Sequence, residues 1–243
     1  MPKTPLPVRI AGSKRFYSAA EAVPLGGGFG IRLDGRPLMT PGGRQFIVPT
    51  EALAHAVAAE WNAQQEQVRL PTMPLTGLAG TALDRVASER ADIVGRIAAY
   101  AGSDLVCYRA TQPAALAARQ QAVWQPLVDW AALRYGAALV VTAGVVPARQ
   151  DAATLDAFAA AVAAHDDFAL AALSAATAAC GSLIIALALL EGRLEAAAAF
   201  AASQLDESYQ IEAWGEDPEQ MARRRALAAE IAAVAQFLAL LRQ

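Results

Sequence analysis

The stretch Leu205–Arg225, read LDESYQIEAWGEDPEQMARRR, holds the densest set of chemically useful side chains in the chain. Asp206, Glu207, Glu216, Asp217 and Glu219 supply carboxylates, Gln210 an amide, and Tyr209 and Trp214 two amphipathic rings. It contains no His, no Cys, no Ser–His pair and no phosphate loop. Acids without a base, nucleophile or metal-spaced donor set suit gripping another protein better than breaking a bond. Helix-end chemistry accounts for part of the stretch. Asp217 reads as an N-cap, Glu219 favours the positive end of a helix, and Gly215 reads as a C-terminal cap. It does not account for Trp214 next to Glu216, or for Asp206-Glu207 with Tyr209-Gln210. Aromatic rings and paired acids at a corner have the make-up of an interaction hot spot.

Catalytic chemistry elsewhere has few candidates. The two histidines, His55 and His165, have no Cys or Ser partner nearby in sequence. Cys107 and Cys180 are the only cysteines, so a disulfide framework is not expected. With the histidines they make no metal-ligand spacing, and no cofactor or metal site is expected. Gly26-Gly27-Gly28-Phe29-Gly30 does not complete GxGxxG and reads as a hairpin turn. Arg223-Arg224-Arg225 reads as a solvated helix face. A competing arrangement is an enzyme with a small-molecule pocket between two domains, formed if Asp84, Arg85, Asp104 and Arg109 converge.

Behind these residues stands a chain of 243 residues, enough for one large domain or two modest ones. Hydrophobic residues make up 56%, much of it alanine, and charged residues only 18%, so a helix-rich protein is expected. A net charge of −3 and a pI near 5.5 leave no basic excess to neutralise phosphates, which argues against nucleic-acid binding. Met1–Ala20 is basic and lacks the apolar core of a secretory signal. The uncharged run Phe168–Leu190 is long enough to span a bilayer, but its Gly181, serines and many alanines favour a buried helix pair over membrane insertion.

Residues 16–50 are rich in Gly, Pro and β-formers. Phe16-Tyr17, Phe29–Leu33 and Phe46–Val48 read as short strands, with Asp34-Gly35 a hairpin turn. Thr50 caps a helix carrying Leu53, Val57 and Trp61, and Val68–Leu75 reads as extended. The rest is mostly helical. One long helix carries Leu83, Val86, Ile93, Ile97 and Tyr100. Pro113 starts another, which Pro126 kinks or breaks. A strand is expected within 138–146, and further helices run through Leu155–Val162, between Gly181 and Gly192, from Leu194 to about Trp214, and from Asp217 onward. The fold expected is α+β and multidomain: a small N-terminal β-rich domain over 1–75 and a larger, mostly α-helical domain over 76–243.

Segments spread along nearly the whole chain carry a family resemblance. They are Arg15-Phe16-Tyr17, Leu33-Asp-Gly-Arg-Pro-Leu38 with Thr40-Pro41, Glu60-Trp61 with Gln64, Met73-Pro-Leu-Thr76 and Thr81-Ala-Leu-Asp-Arg-Val86. They continue through Asp104-Leu-Val-Cys-Tyr-Arg109, Trp124-Gln-Pro-Leu127 and Gly181-Ser-Leu183. The last are Asp206-Glu207 with Tyr209-Gln210, and Trp214-Gly-Glu-Asp-Pro-Glu219. In this order they resemble the assembly chaperones that handle the α subunit of the ATP synthase catalytic head, in mitochondria and related bacteria. The resemblance implies no enzyme activity and no cofactor. It implies a protein, monomeric when free, that covers the apolar surface of unassembled α subunit until the β subunit displaces it. A bacterial member acting in the cytoplasm is expected, or one of the mitochondrial matrix if eukaryotic. The contact residues it points to are Glu216, Asp217 and Glu219, then Asp206, Glu207, Gln210 and Trp214.

Overall fold

The computed structural model describes residues 13–144, 146 and 148–243. Most of the basic segment 1–20, and Val145 within the expected strand 138–146, lie outside the described residues. The chain packs as two compact units. One comprises Met1–Arg90, Asp167–Ala172 and Gln236–Gln243; the other comprises Ala91–Asp166 and Leu173–Ala235.

The first unit is built on a small antiparallel sheet of β1 (Ala20–Leu25), β2 (Gly28–Leu33), β3 (Arg36–Pro37) and β4 (Ile47–Val48). β1 pairs with β2 in the register Ala20↔Leu33 to Leu25↔Gly28, closed by Gly26 and Gly27 as the turn reading expects. Asp34-Gly35 joins β2 to β3, and both residues take positive φ, the twist that a two-residue hairpin needs. β4 joins β2 at Phe29↔Val48, and Gly28 is what lets it approach: a Cβ there would lie 2.4 Å from the Val48 carbonyl oxygen. The helix α1 (Glu51–Asn62) buries Leu53, Val57 and Trp61 against the sheet, and the Thr50 hydroxyl accepts from the Leu53 N–H.

Three local expectations over residues 16–100 fail. Phe16-Tyr17 is not a strand. Tyr17 is core, its ring edge-on to Trp61 at 5.6 Å and its hydroxyl donating to the Trp61 carbonyl at 2.7 Å. The first strand is Ala20–Leu25 instead, where Ala20, Glu21 and Pro24 hide the β pattern. Val68–Leu75 is not wholly extended: a 3-10 turn spans Leu70–Thr72 and α2 (Pro74–Thr81) begins with Pro74 in its first turn. The Glu60 carboxylate caps that helix by accepting from the Leu75 and Thr76 N–H groups, 2.8 Å each, and from the Thr76 hydroxyl. The expected long helix to Tyr100 is interrupted by a π turn over Ala82–Val86 before α3 (Ala87–Ala99), in which Glu89 leaves helical geometry.

The second unit is helical around a short parallel pair, β5 (Tyr108–Arg109) and β6 (Thr142–Ala143). Its helices are α4 (Ala114–Tyr135), α5 (Ala152–Ala163), α6 (Asp167–Cys180), α7 (Leu183–Leu190), α8 (Ala196–Ser203), α9 (Leu205–Trp214) and α10 (Pro218–Leu241), with the first turn and a half of α6 and the last residues of α10 counted in the first unit. Pro113 precedes α4 as its N-cap, and Pro126 neither breaks nor ends it. A proline in mid-helix costs about 3 kcal/mol. Burial of Trp124, Leu127, Val128 and Ala131 on both sides of it outweighs that, at about 1.5–3 kcal/mol for each large side chain. Phe168–Leu190 folds as two helices separated at Gly181, with α7 fully buried from Leu183 to Leu189. Among the described residues no helix is long and apolar enough to cross a membrane. The expected single helix from Leu194 to Trp214 is also two, because the backbone at Gln204 (φ −113°, ψ 26°) turns out of helix between α8 and α9. The β-rich start and helical remainder make the α+β class that composition and patterning indicate.

Candidate functional site

α9 ends at Gly215, whose φ of 90° is open to glycine and whose N–H returns to the Ile211 carbonyl. Asp217 then starts α10, its carboxylate accepting from the Gln220 N–H at 2.8 Å. Between these caps Trp214 stands 82% exposed, with Glu216 exposed beside it. No burial drives the indole outward. An exposed indole flanked by acids at a helix corner has the composition of an interface hot spot.

The seven candidate residues fall into distinct settings. Trp214, Glu216, Asp217, Glu219 and Gln210 are exposed; Asp206 and Glu207 are half-buried. Glu219 forms an exposed i,i+4 pair with Arg223 at 3.0 Å, a contact of little energetic weight. Glu207 and Asp217 face Arg223 and Arg224 across a polar cleft of about 620 Å³ that Gln204 and Gln220 also line. Asp206 points elsewhere and accepts from the Gln120 side chain at 2.7 Å. The structure therefore brings Glu207 and Asp217 to one cleft, and sets Asp206 on another side of α9.

Sequence reading missed the residues that hold this corner. Arg224 is not simply solvated: its guanidinium donates to Gln204 Oε1 (3.1 Å) and to the Ser208 hydroxyl (2.8 Å) and lies over the Phe200 ring, tying α10 to α8 and α9. On α4, Arg119 pairs with Glu212 at 2.6 Å and covers Tyr209, and Gln120 reaches Asp206. No short-range spacing marks the two α4 partners, which lie 86 or more residues from the α9 side chains they meet.

The groups weighed for catalysis are in structural use. Asp84 accepts from the Thr40 hydroxyl and the Gly42 N–H, and Arg85 pairs with Glu89. Asp104 is fully buried and accepts from the Ser182 hydroxyl (2.6 Å), the Ile184 N–H (3.1 Å) and the Val106 N–H (3.2 Å). Burial pushes its carboxyl up to about 6 against those bonds. Arg109 donates to the Val106 carbonyl and covers Trp124. Burial, with the Asp104 charge second, pushes the Cys107 thiol up to about 12, so it is a small apolar group and no thiolate nucleophile. Exposed His55 lies 3.6 Å from Glu51, and burial lowers His165.

A helical unit that presents an exposed ring and acids at a corner, its other reactive groups bound internally, has the make-up of a protein-binding factor. The ATP12 chaperone protein family model matches residues 14–132. Crystal structures of Atp12 from Paracoccus denitrificans, wild type and a single-site mutant, are 40% identical. They superpose with TM-scores of 0.89 and 0.90, covering 95% of this chain and 98–99% of theirs. The mitochondrial protein atp12 of Schizosaccharomyces pombe is 26% identical over 214 residues, 83% of this chain and 74% of its own length. The class is thus that of the molecular chaperones. The chain belongs to the ATP12 chaperone family, the ATP synthase assembly family its sequence resembles.

Proposed function

We propose that this protein is a non-enzymatic holding chaperone for the unassembled α subunit of the ATP synthase catalytic head. It covers the surface that α will give to β, keeps α from aggregating, and yields when β arrives. The observation that carries the reading is Trp214, 82% exposed at the α9–α10 corner, in a chain of this family. Trp214 anchors the contact and the carboxylates of Glu216, Asp217, Glu219 and Glu207 meet Arg or Lys of the partner, with the Gln210 amide alongside; Asp206, bound to Gln120, supports the corner from within. Displacement by β requires moderate affinity, which a polar, modest interface provides. The protein acts as a monomer when free, in the bacterial cytoplasm or, for a eukaryotic source, the mitochondrial matrix.

Tagged protein isolated from its native host, with the complexes sized, tests this. Recovery of α subunit without β is the expected result. Absence of α from a folded, abundant bait, while free α is present in the same cells, overturns it.

A further inference from the structure

Gln120 is 1% exposed and sits on the face of α4 that meets α9. Its Oε1 accepts from the Ala110 N–H at 2.6 Å, and its Nε2 donates to Asp206 Oδ1 at 2.7 Å. Chemistry fixes this orientation. A backbone N–H can only donate and an ionised carboxylate can only accept, so the amide oxygen must face Ala110 and the amide NH₂ must face Asp206. One buried side chain thereby joins the residue after β5, the second turn of α4 and the first turn of α9. We propose that Gln120 is the positioning residue of the α9–α10 corner, and that Asp206 serves the site through Gln120 rather than by touching the partner; this rests on the corner being the partner-binding surface.

The placement explains why a bond from a buried side chain is used here. The chain leaves helical geometry at Gln204, which donates to the Phe200 carbonyl and accepts from the Ser208 N–H, so one joint residue links α8 to α9 and the helix ladder does not run straight through. Asp206 follows two residues later, in the first turn of α9, where α4 can steer the helix. Trp214 lies eight residues further on, about 12 Å along the helix at 1.5 Å per residue, so a small tilt at Asp206 becomes a larger displacement of the ring. The other link from α4, Arg119 to Glu212, has both side chains about half exposed and steers weakly. A bond to a charged group from a buried donor resists tilting more strongly.

An exchange of the two partners tests the proposal. Gln120→Glu sets two carboxylates against each other. Asp206→Asn keeps an oxygen that can accept from Gln120. The double variant restores a bond with donor and acceptor reversed. Hydrogen exchange at the Ser208–Glu212 amides of the free protein is expected to quicken about tenfold in Gln120→Glu and to stay within about threefold of wild type in Asp206→Asn and in the double variant. Capture of purified α subunit should weaken and recover in the same order. If Asp206→Asn loses capture while α9 exchange is unchanged, Asp206 touches the partner and the proposal fails. If the double variant does not restore exchange, Gln120 does not position α9. Trp214→Ala measured alongside separates the two readings: intact capture there removes the partner-binding reading, and the exchange results alone then decide the role of Gln120.

Discussion

Asp104 and Glu216 are both carboxylates of the helical unit, and they are held in opposite ways. Asp104 has no exposed surface, and every donor around it is committed: Ser182, Ile184 and Val106 close it in at the start of α7. Glu216 lies in the open turn between α9 and α10 beside an exposed indole. The difference separates two uses of acidity. A carboxylate enclosed by donors fixes backbone, and its removal strands those donors. A carboxylate beside an uncovered ring costs the fold nothing and retains its full capacity for a partner. Substitutions should therefore divide cleanly, with the Asp104 centre affecting stability and the corner affecting binding.

The largest effect is expected at Asp104. Asp104→Ala leaves the Ser182 hydroxyl and two backbone N–H groups buried without acceptors, a loss of about 3 kcal/mol or more. Asp104→Asn, which keeps one acceptor oxygen, should lose less. Urea unfolding measures both. If Asp104→Ala unfolds at the wild-type midpoint, the buried centre does not hold α7 and the contrast with the corner collapses.

The pH dependence of the same group sharpens the contrast. Folded Asp104 keeps its proton up to about pH 6, because burial disfavours the charged form, while in the unfolded chain it titrates near 3.8. Folding therefore takes up a proton between those values. The proton-linked part of the Asp104 contribution is complete below about pH 4, declines as pH rises, and is lost above about pH 6, with a span of at most about 3 kcal/mol. Wild-type stability relative to Asp104→Asn should fall between pH 4 and pH 6.5 and then level off. A difference that stays flat across that window means the carboxyl is ionised throughout and its bonds outweigh its burial.

The same contrast governs how much could be read from the sequence. Local rules identified Asp34-Gly35, the Thr50 and Asp217 caps, Gly215 and the buried helix after Gly181, because each is settled by a few neighbouring residues. The acidic corner stood out for the same reason, since Trp214, Glu216, Asp217 and Glu219 are adjacent. Elements decided by distant packing went astray. α4 runs through Pro126 because the core on both sides holds it, and Tyr17 enters the core because Trp61 is there to receive it. Gln120 looked like any polar helix residue, since Ala110 lies 10 positions away and Asp206 lies 86 away.

At the corner, Trp214→Ala should leave the unfolding midpoint nearly unchanged, within about 0.5 kcal/mol, because the ring is covered by nothing in the free protein. Capture of α subunit should weaken about tenfold or more, the scale of a buried aromatic anchor at an interface. Titration calorimetry or surface capture with purified α reads this directly. A variant that destabilises the fold yet binds normally would reverse the assignment and make the indole structural.

The smallest effects belong to the charge-neutral changes Glu216→Gln and Glu219→Gln. Glu219 has only the exposed pair with Arg223 to lose, so the fold should register neither change. Binding is a different matter, because each carboxylate reaches its partner charge at the rim of an interface, where water and salt screen it. A loss of about threefold in affinity for each is expected, mostly through slower association, and it should shrink as salt rises from 50 to about 300 mM while the Trp214→Ala loss does not. That difference in salt response distinguishes an electrostatic rim around an apolar anchor from a purely apolar contact. If both substitutions leave capture of α and folding untouched at low salt, the acids of the corner are only helix-end residues, and the partner-binding assignment of Glu216 and Glu219 is wrong.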